Sequence, residues 1–134
     1  MNNATKVAHY QHASGREPVE AGELMPPHLY NALKYTCRRN KKHDSPIEDI
    51  KKAIDSLKRE CKLRQTVPPP FILAKHRETI RQVCYALAET EPPNIRTAIH
   101  SIALAAMQPD DLRKHIGMAI ASLEIELDIV AQFG

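Results

Sequence analysis

Two stretches, Asn31-Ala-Leu-Lys-Tyr-Thr-Cys-Arg-Arg-Asn-Lys-Lys-His43 and Ser45-Pro-Ile-Glu-Asp-Ile-Lys-Lys-Ala-Ile-Asp55, follow each other with one aspartate between them. The first has helical spacing and ends in a run of cations, and the second opens with a helix start signal. We therefore expect two antiparallel helices joined by a turn at residues 40–44, which we call the basic turn.

The first of these helices is predicted over residues 27–39, because proline is tolerated in a first helical turn. Spacings of three and four residues divide it into two faces. The apolar face is expected to be buried and comprises Leu29, Leu33, Thr36 and Cys37. The adjoining face, here called the polar stripe, comprises Asn31, Lys34, Tyr35 and Arg38.

The second helix is predicted from Ser45 to about Arg64, with Ser45 as N-cap, Pro46 in the first turn and Glu48 completing a capping box. A narrow apolar seam is expected to face the core. Its members are Ile47, Ile50, Ala53, Ile54, Leu57 and Cys61.

Composition favours helices throughout, because the 134 residues include only 4 glycines, 2 phenylalanines and no tryptophan. We expect an all-α fold in which the hairpin is followed by a three-helix C-terminal extension. The net charge of +3 is mild, and the Lys and Arg residues cluster between Lys34 and Arg64, which favours a local anion site over a nucleic-acid partner. No apolar run approaches membrane-spanning length, so we expect an intracellular protein with no membrane partner. The 3 cysteines are widely spaced, and we expect them to be reduced core residues.

The chain divides into four predicted segments. Residues 1–17 form a polar arm that contains His9-Tyr10-Gln11, and residues 18–65 form the hairpin, preceded by a short helix over 19–24. Three consecutive prolines make residues 66–70 a stiff connector. Residues 71–134 form the extension, used for packing or oligomerisation. Its helices are predicted over residues 71–89, 94–107 and 109–132.

Chemistry is expected at the basic turn, because a helix N-terminus attracts anions and four cations surround it: Arg38, Arg39, Lys41 and Lys42. Tyr35 and Tyr10 could stack on a base. Asp49 is either a magnesium ligand or the partner of a neighbouring lysine, and no other metal site is expected. There is no P-loop and no dinucleotide fingerprint. A solvated basic face remains the simpler interpretation.

The order of His9-Tyr10-Gln11, Gly15-Arg-Glu17-Pro-Val-Glu20, the polar stripe with Lys41-Lys42, and Glu48-Asp49-Ile-Lys-Lys52-Ala53 resembles a small phage-encoded domain family. That family was long of unknown function and includes the P-loop-lacking nucleotide kinase of lytic podophages. The resemblance covers about residues 6–60. It implies a phage protein in the cytoplasm of an infected bacterium, a helical homo-oligomer and a nucleotide ligand. The expected ligand-binding residues are His9, Tyr10, Gln11, Asn31, Lys34, Tyr35, Arg38, Lys41, Lys42 and Lys52.

Three functions stay open at this point, and catalytic residues are not assigned. A binding module would sequester a nucleotide or a nucleotide-derived signal of host antiviral defence. A nucleoside monophosphate kinase would use Lys34, Arg38 and Lys42 to neutralise charge, with Mg²⁺ held by Asp49 or by the substrates. A helical adaptor would bind host protein or DNA through its basic helices. No other cofactor is expected.

Overall fold

A computed structural model describes residues 12–39 and 46–133 of the chain. The described part contains six α-helices and no strands, which confirms the all-α prediction. The first three helices are α1 (Val19–Gly22), α2 (Pro27–Arg38) and α3 (Pro46–Leu63). The last three are α4 (Ala74–Glu89), α5 (Pro93–Met107) and α6 (Leu112–Phe133), with a 3₁₀ turn at Pro109–Asp111 before α6.

Helices α2 and α3 form the predicted hairpin. Arg38 at the end of α2 contacts Asp49 near the start of α3, and Tyr35 one turn earlier lies beside Lys52 one turn later, so the helices run antiparallel. The apolar face of α2 is buried as predicted. On α3 the seam is buried at Ile50, Ala53, Ile54 and Leu57, and half-buried at Ile47 and Cys61.

Two predicted helix starts in the C-terminal half are wrong. Helix α4 begins at Ala74 and not at Phe71. Its N-cap Leu73 has a ψ of 148°, outside the helical region, and the carbonyl of Ile72 accepts a hydrogen bond from the Arg77 side chain. Phe71 is exposed. Pro109 opens a 3₁₀ turn, and the α-helix itself begins at Leu112. The inner side of α6 is fully buried at Ile116 and Leu123 and partly buried at Ile120, Leu127 and Val130.

The hairpin shares one hydrophobic core with the C-terminal helices. Helix α3 packs on α6, α2 packs on α5, and α1 packs on α4. Close approach of α5 is possible because the side chains it buries are mostly small. They include Ala98, Ala103, Ala105 and Ala106. That the hairpin binds a ligand and that the extension serves packing or oligomerisation both stay predictions.

The proline connector is fixed by a buried ion pair at the end of α3. Arg64 Nε lies 2.6 Å from Glu60 Oε2, and the same guanidinium donates to the carbonyl of Pro68 at 3.0 Å. Glu60 is completely buried. The path of the chain into α4 is therefore set by charge-assisted hydrogen bonds as well as by the stiffness of the prolines.

All three cysteines are free thiols, with Cys37 and Cys84 buried and Cys61 half-buried, as expected. Burial raises the pKa of Cys84 to about 12. Within the described ranges, no helix combines the length and the apolar character that crossing a bilayer requires.

Candidate functional site

Three cations surround one aromatic ring on the polar stripe. The distances to the centroid of the Tyr35 ring are 4.8 Å from Arg38 Cζ, 5.1 Å from Lys34 Nζ and 5.5 Å from Lys52 Nζ. Lys34 and Arg38 come from α2, whereas Lys52 comes from α3, so the hairpin assembles the group. We call Tyr35, Lys34, Arg38 and Lys52 the cation–aromatic cluster.

The negative face of the Tyr35 ring favours each of these cations, but the cations repel one another. The carboxylate of Asp49 balances part of the charge, since its Oδ1 lies 3.3 Å from Arg38 Nη2. Asp49 is completely buried, and its Oδ2 has no hydrogen-bond partner among the described residues. Its partner is thus an arginine and not a neighbouring lysine. Three cations set against one carboxylate leave the cluster positive.

A cavity of about 320 Å³ opens beside the cluster. Lys34 and Arg38 belong to both, so the cations stand at the edge of the cavity. The other lining residues are mostly apolar or aromatic, namely Pro18, Val19, Tyr30 and Cys37, with the carboxylate of Glu17 among them. The volume lies at the lower end of the range typical of small-molecule sites, which is ~300–1,000 Å³.

The Tyr30 ring in the cavity wall is placed by a glycine. A Cβ at Gly22, the last residue of α1, would overlap the ring of Tyr30. Lys34 Nζ lies 5.7 Å from the centroid of the Tyr30 ring, so its ammonium group is shared between two tyrosines. The packing of α1 on α2 therefore shapes the cavity.

Arg39 does not contribute mobile charge to the basic turn, which corrects the sequence-based expectation. Its guanidinium is 6% exposed and donates from Nη2 to Glu91 Oε1 at 2.8 Å and from Nη1 to the carbonyl of Thr36 at 3.1 Å. Glu91 follows α4, so this ion pair ties the end of α2 to the C-terminal half. The two adjacent arginines therefore have different environments: Arg38 belongs to the cation–aromatic cluster, and Arg39 is buried in the interior.

His12 completes this buried network from the N-terminal side. Its Nε2 lies 2.6 Å from Glu91 Oε2, and the backbone N–H of Ser14 donates to its Nδ1 at 3.1 Å. Because an ionised carboxylate only accepts hydrogen bonds, Nε2 carries a proton and donates it to Glu91. Burial alone would raise the pKa of Glu91, but the hydrogen bonds from His12 and Arg39 outweigh burial and hold that pKa below its usual value.

The structure brings together four of the ten predicted ligand-binding residues, namely those of the cation–aromatic cluster. Asn31 is half-buried one turn before Tyr35 on α2. Five others lie outside the described residues: His9, Tyr10, Gln11, Lys41 and Lys42. The same holds for Ser45 and its proposed capping box.

Neither the Glu91 network nor a binding role for the cavity-wall residues other than Lys34 and Arg38 was predicted from the sequence. Glu91 precedes two prolines and has no local feature that points to Arg39, which lies 52 positions earlier. Only the position of His12, next to His9-Tyr10-Gln11, hinted at a role for this residue. Across residues 12–39 and 46–133, no three His, Cys, Asp or Glu side chains are grouped so that they could hold a metal ion.

A family model described as a protein of unknown function, DUF3310, matches residues 4–58. The matched part contains the whole cation–aromatic cluster and ends within α3, before the C-terminal helices begin. It is similar to a small domain of unknown function. No curated protein and no solved structure matches the chain.

Proposed function

We propose that this chain is a phage protein that binds a nucleotide or a nucleotide-derived signalling molecule at the cation–aromatic cluster and its cavity, and that it sequesters this ligand. The observation that carries the proposal is the convergence of Lys34, Arg38 and Lys52 within 5.5 Å of the centre of one tyrosine ring. Such a concentration of positive charge favours an anionic ligand.

Phosphate groups suit the cations. The Arg38 guanidinium can donate two parallel hydrogen bonds to phosphate oxygens, while the two lysines act as point charges. Lys52 is exposed and Lys34 is half-buried, so both can turn toward a ligand without unfolding the hairpin. The ion pair with the buried Asp49 helps to position the Arg38 guanidinium.

The cavity adds apolar and aromatic surface, which a site for a simple anion would lack. Its wall contains the Tyr30 ring and the apolar surfaces of Pro18 and Val19, against which a planar base can pack. Glu17 offers an acceptor for an N–H group on that base. A nucleotide would place its base in the cavity and its phosphates on Lys34 and Arg38, whereas inorganic phosphate would use only the cations. The site therefore favours a nucleotide over inorganic phosphate.

Nucleotide phosphotransfer is the second candidate, and one observation favours it. The Oδ2 atom of Asp49 has no hydrogen-bond partner within the described ranges, and this carboxylate adjoins Arg38. A carboxylate oxygen of this kind can ligate Mg²⁺ or accept a proton from an attacking hydroxyl group. Burial of Asp49 means that Arg38 would first have to move aside.

The two candidates differ in turnover. Purified protein is incubated with nucleoside mono- and triphosphates and with cyclic and ADP-ribose-derived signals, with and without Mg²⁺, and bound and released species are identified by chromatography and mass spectrometry. Sequestration predicts one intact ligand, recovered after denaturation whether or not Mg²⁺ is present. New phosphorylated products that require Mg²⁺ would establish the kinase instead. Retention of no ligand, together with the absence of any new phosphorylated product, would reject both.

A further inference from the structure

Helix α6 has two apolar faces. One packs in the core through Leu112, Ile116, Ala119 and Leu123. On the opposite side large apolar residues lie in solvent, with Met118 49% and Ile125 52% exposed. Successive residues are about 100° apart around a helix axis, and these two residues and three others on the same side fall within an arc of about 100°. We call this set the outer stripe: Met118, Ala121, Ser122, Ile125 and Ile129.

The outer stripe runs from Met118 to Ile129, which is about half of the 22-residue helix and about 17 Å along its axis. Exposed single apolar residues are common, but a continuous apolar row along a helix is typical of an interaction surface. The small residues Ala121 and Ser122 lie in the middle of the row, where another helix could approach closely.

Charges are unevenly distributed along α6. The cations Arg113 and Lys114 are in its first turn, whereas Glu124, Glu126 and Asp128 are in its second half. Within residues 12–39 and 46–133, none of these side chains belongs to an ion pair. Glu124 and Asp128 are also four residues apart, so their like charges repel each other on one helix.

We propose that the outer stripe is a dimer interface and that α6 pairs antiparallel with α6 of a second copy of this chain. An antiparallel pair brings Lys114 in the first turn of each helix close to Asp128 in the second half of the other. A parallel pair would instead place Lys114 beside Lys114 and Asp128 beside Asp128. These two charges therefore favour a second copy of this chain in the antiparallel direction, because they are complementary only when one helix is reversed.

The pairing has a defined register. With the two-fold axis beside Ala121 and Ser122, Met118 faces Ile125 of the other copy. Lys114 then lies beside Ile129 and Asp128 of the other copy, so that its stem covers an apolar residue while its ammonium group meets a carboxylate. Lys114 and Asp128 are on the same flank of the stripe, as antiparallel pairing requires, because equal flanks meet when one helix is reversed.

Sedimentation velocity tests the interface. Wild-type protein is expected to sediment as a dimer, and Ile125→Glu as a monomer with unchanged helix content by circular dichroism. The matched control is Val67→Glu, which adds the same charge at a residue 44% exposed in the connector, away from α6, and should remain dimeric. Monomeric wild-type protein, or a dimer that Ile125→Glu leaves intact, overturns the proposal.

A charge exchange tests the direction and does not depend on the folding of Ile125→Glu. Lys114→Glu and Asp128→Lys should each raise the dimer dissociation constant by about tenfold or more, because each sets like charges against each other. The double variant Lys114→Glu/Asp128→Lys should restore wild-type affinity. Antiparallel pairing is refuted if the double variant dissociates as readily as the single ones, or if the single variants dimerise like wild type.

Discussion

Lys34 and Arg38 both belong to the cation–aromatic cluster and line the cavity, but they differ in their contribution to stability. Arg38 neutralises the buried carboxylate of Asp49, so its removal also affects the interior of the hairpin. Lys34 has no ion-pair partner within the described ranges, and its ammonium group lies over the Tyr30 and Tyr35 rings. Lys34 is therefore the residue at which binding can be separated from stability.

We expect Lys34→Ala to weaken nucleotide binding by ~1.5–3 kcal/mol, because it removes one charge-assisted hydrogen bond to a phosphate. The melting temperature should stay within error of wild type. Arg38→Ala should weaken binding to a similar extent, but with a lower melting temperature because Asp49 then lacks its partner. Calorimetric titration and thermal melts of the same samples measure both effects, and equal affinity in wild type and both variants would refute the site.

The buried pair of Arg39 and Glu91 gives a prediction about acid stability. The pKa of Glu91 is lower in the folded chain than its usual value of 4.5, so the unfolded chain binds a proton more readily. This contribution is complete above pH 4.5 and is lost as the pH falls below that value through the folded-state pKa.

Glu91→Gln should therefore cost ~3 kcal/mol of unfolding free energy at neutral pH, because it leaves Arg39 buried without its counter-charge. The difference from wild type should shrink in acid. Urea titrations at several pH values measure it, with the exposed Glu89→Gln as control for the same loss of charge. A Glu91→Gln variant as stable as that control at neutral pH would contradict a structural role for the pair.

At the scale of the helices, α1 and α2 shape the cavity through one close contact, that of Gly22 with the ring of Tyr30. We expect Gly22→Ala to destabilise the fold by ~1–3 kcal/mol, because the added methyl group must displace the ring or separate the helices. Nucleotide affinity should fall as well, since Tyr30 lines the cavity. Chemical denaturation and ligand titration of one preparation measure both.

The control is Gly117→Ala, which introduces the same methyl group in α6, where nothing lies within 4 Å of the new atom. That change should be neutral or stabilise by up to ~1 kcal/mol, as alanine favours helices. Equal effects of the two substitutions would show that the contact of Gly22 with Tyr30 is not tight in solution.

The hairpin was predictable from sequence because its signals are local. Pro27 and Pro46 mark helix starts, and spacings of three and four assign Leu29, Leu33 and Cys37 to the core. The same spacing placed Lys34, Tyr35 and Arg38 together on a neighbouring face. The approach of Lys52 to Tyr35 then followed once the two helices were antiparallel.

Other features were not predictable, because they depend on contacts between distant segments. Nothing near Arg39 indicates that it turns inward to meet Glu91, whereas its neighbour Arg38 is half-buried and lines the cavity. The start of α4 was misplaced for a different reason: Phe71-Ile-Leu73 fits a helix pattern, but Leu73 has a ψ of 148° and the Ile72 carbonyl bonds to the Arg77 side chain. A hydrogen bond from a side chain one turn inside the helix is not visible in that pattern.

At the scale of the whole molecule, the shared core predicts one cooperative unfolding transition. Leu57 of α3 and Leu123 of α6 are both fully buried in the same cluster. Leu57→Ala and Leu123→Ala should each cost ~2–5 kcal/mol and shift that single transition downward. Differential scanning calorimetry measures it. Two separate transitions, of which each variant shifts only one, would show that hairpin and extension unfold independently.

Binding of a nucleotide at the cation–aromatic cluster is the central claim, and one comparison tests it most directly. Wild type, Lys34→Ala and Lys58→Ala are each equilibrated with the same nucleotide panel, desalted and denatured, and the retained ligand is quantified by mass spectrometry. Lys58 is an exposed lysine of α3 outside the cluster, so its loss controls for net charge. We predict that wild type and Lys58→Ala retain the same intact nucleotide and that Lys34→Ala loses it. Retention by all three proteins alike, or by none, would contradict the claim.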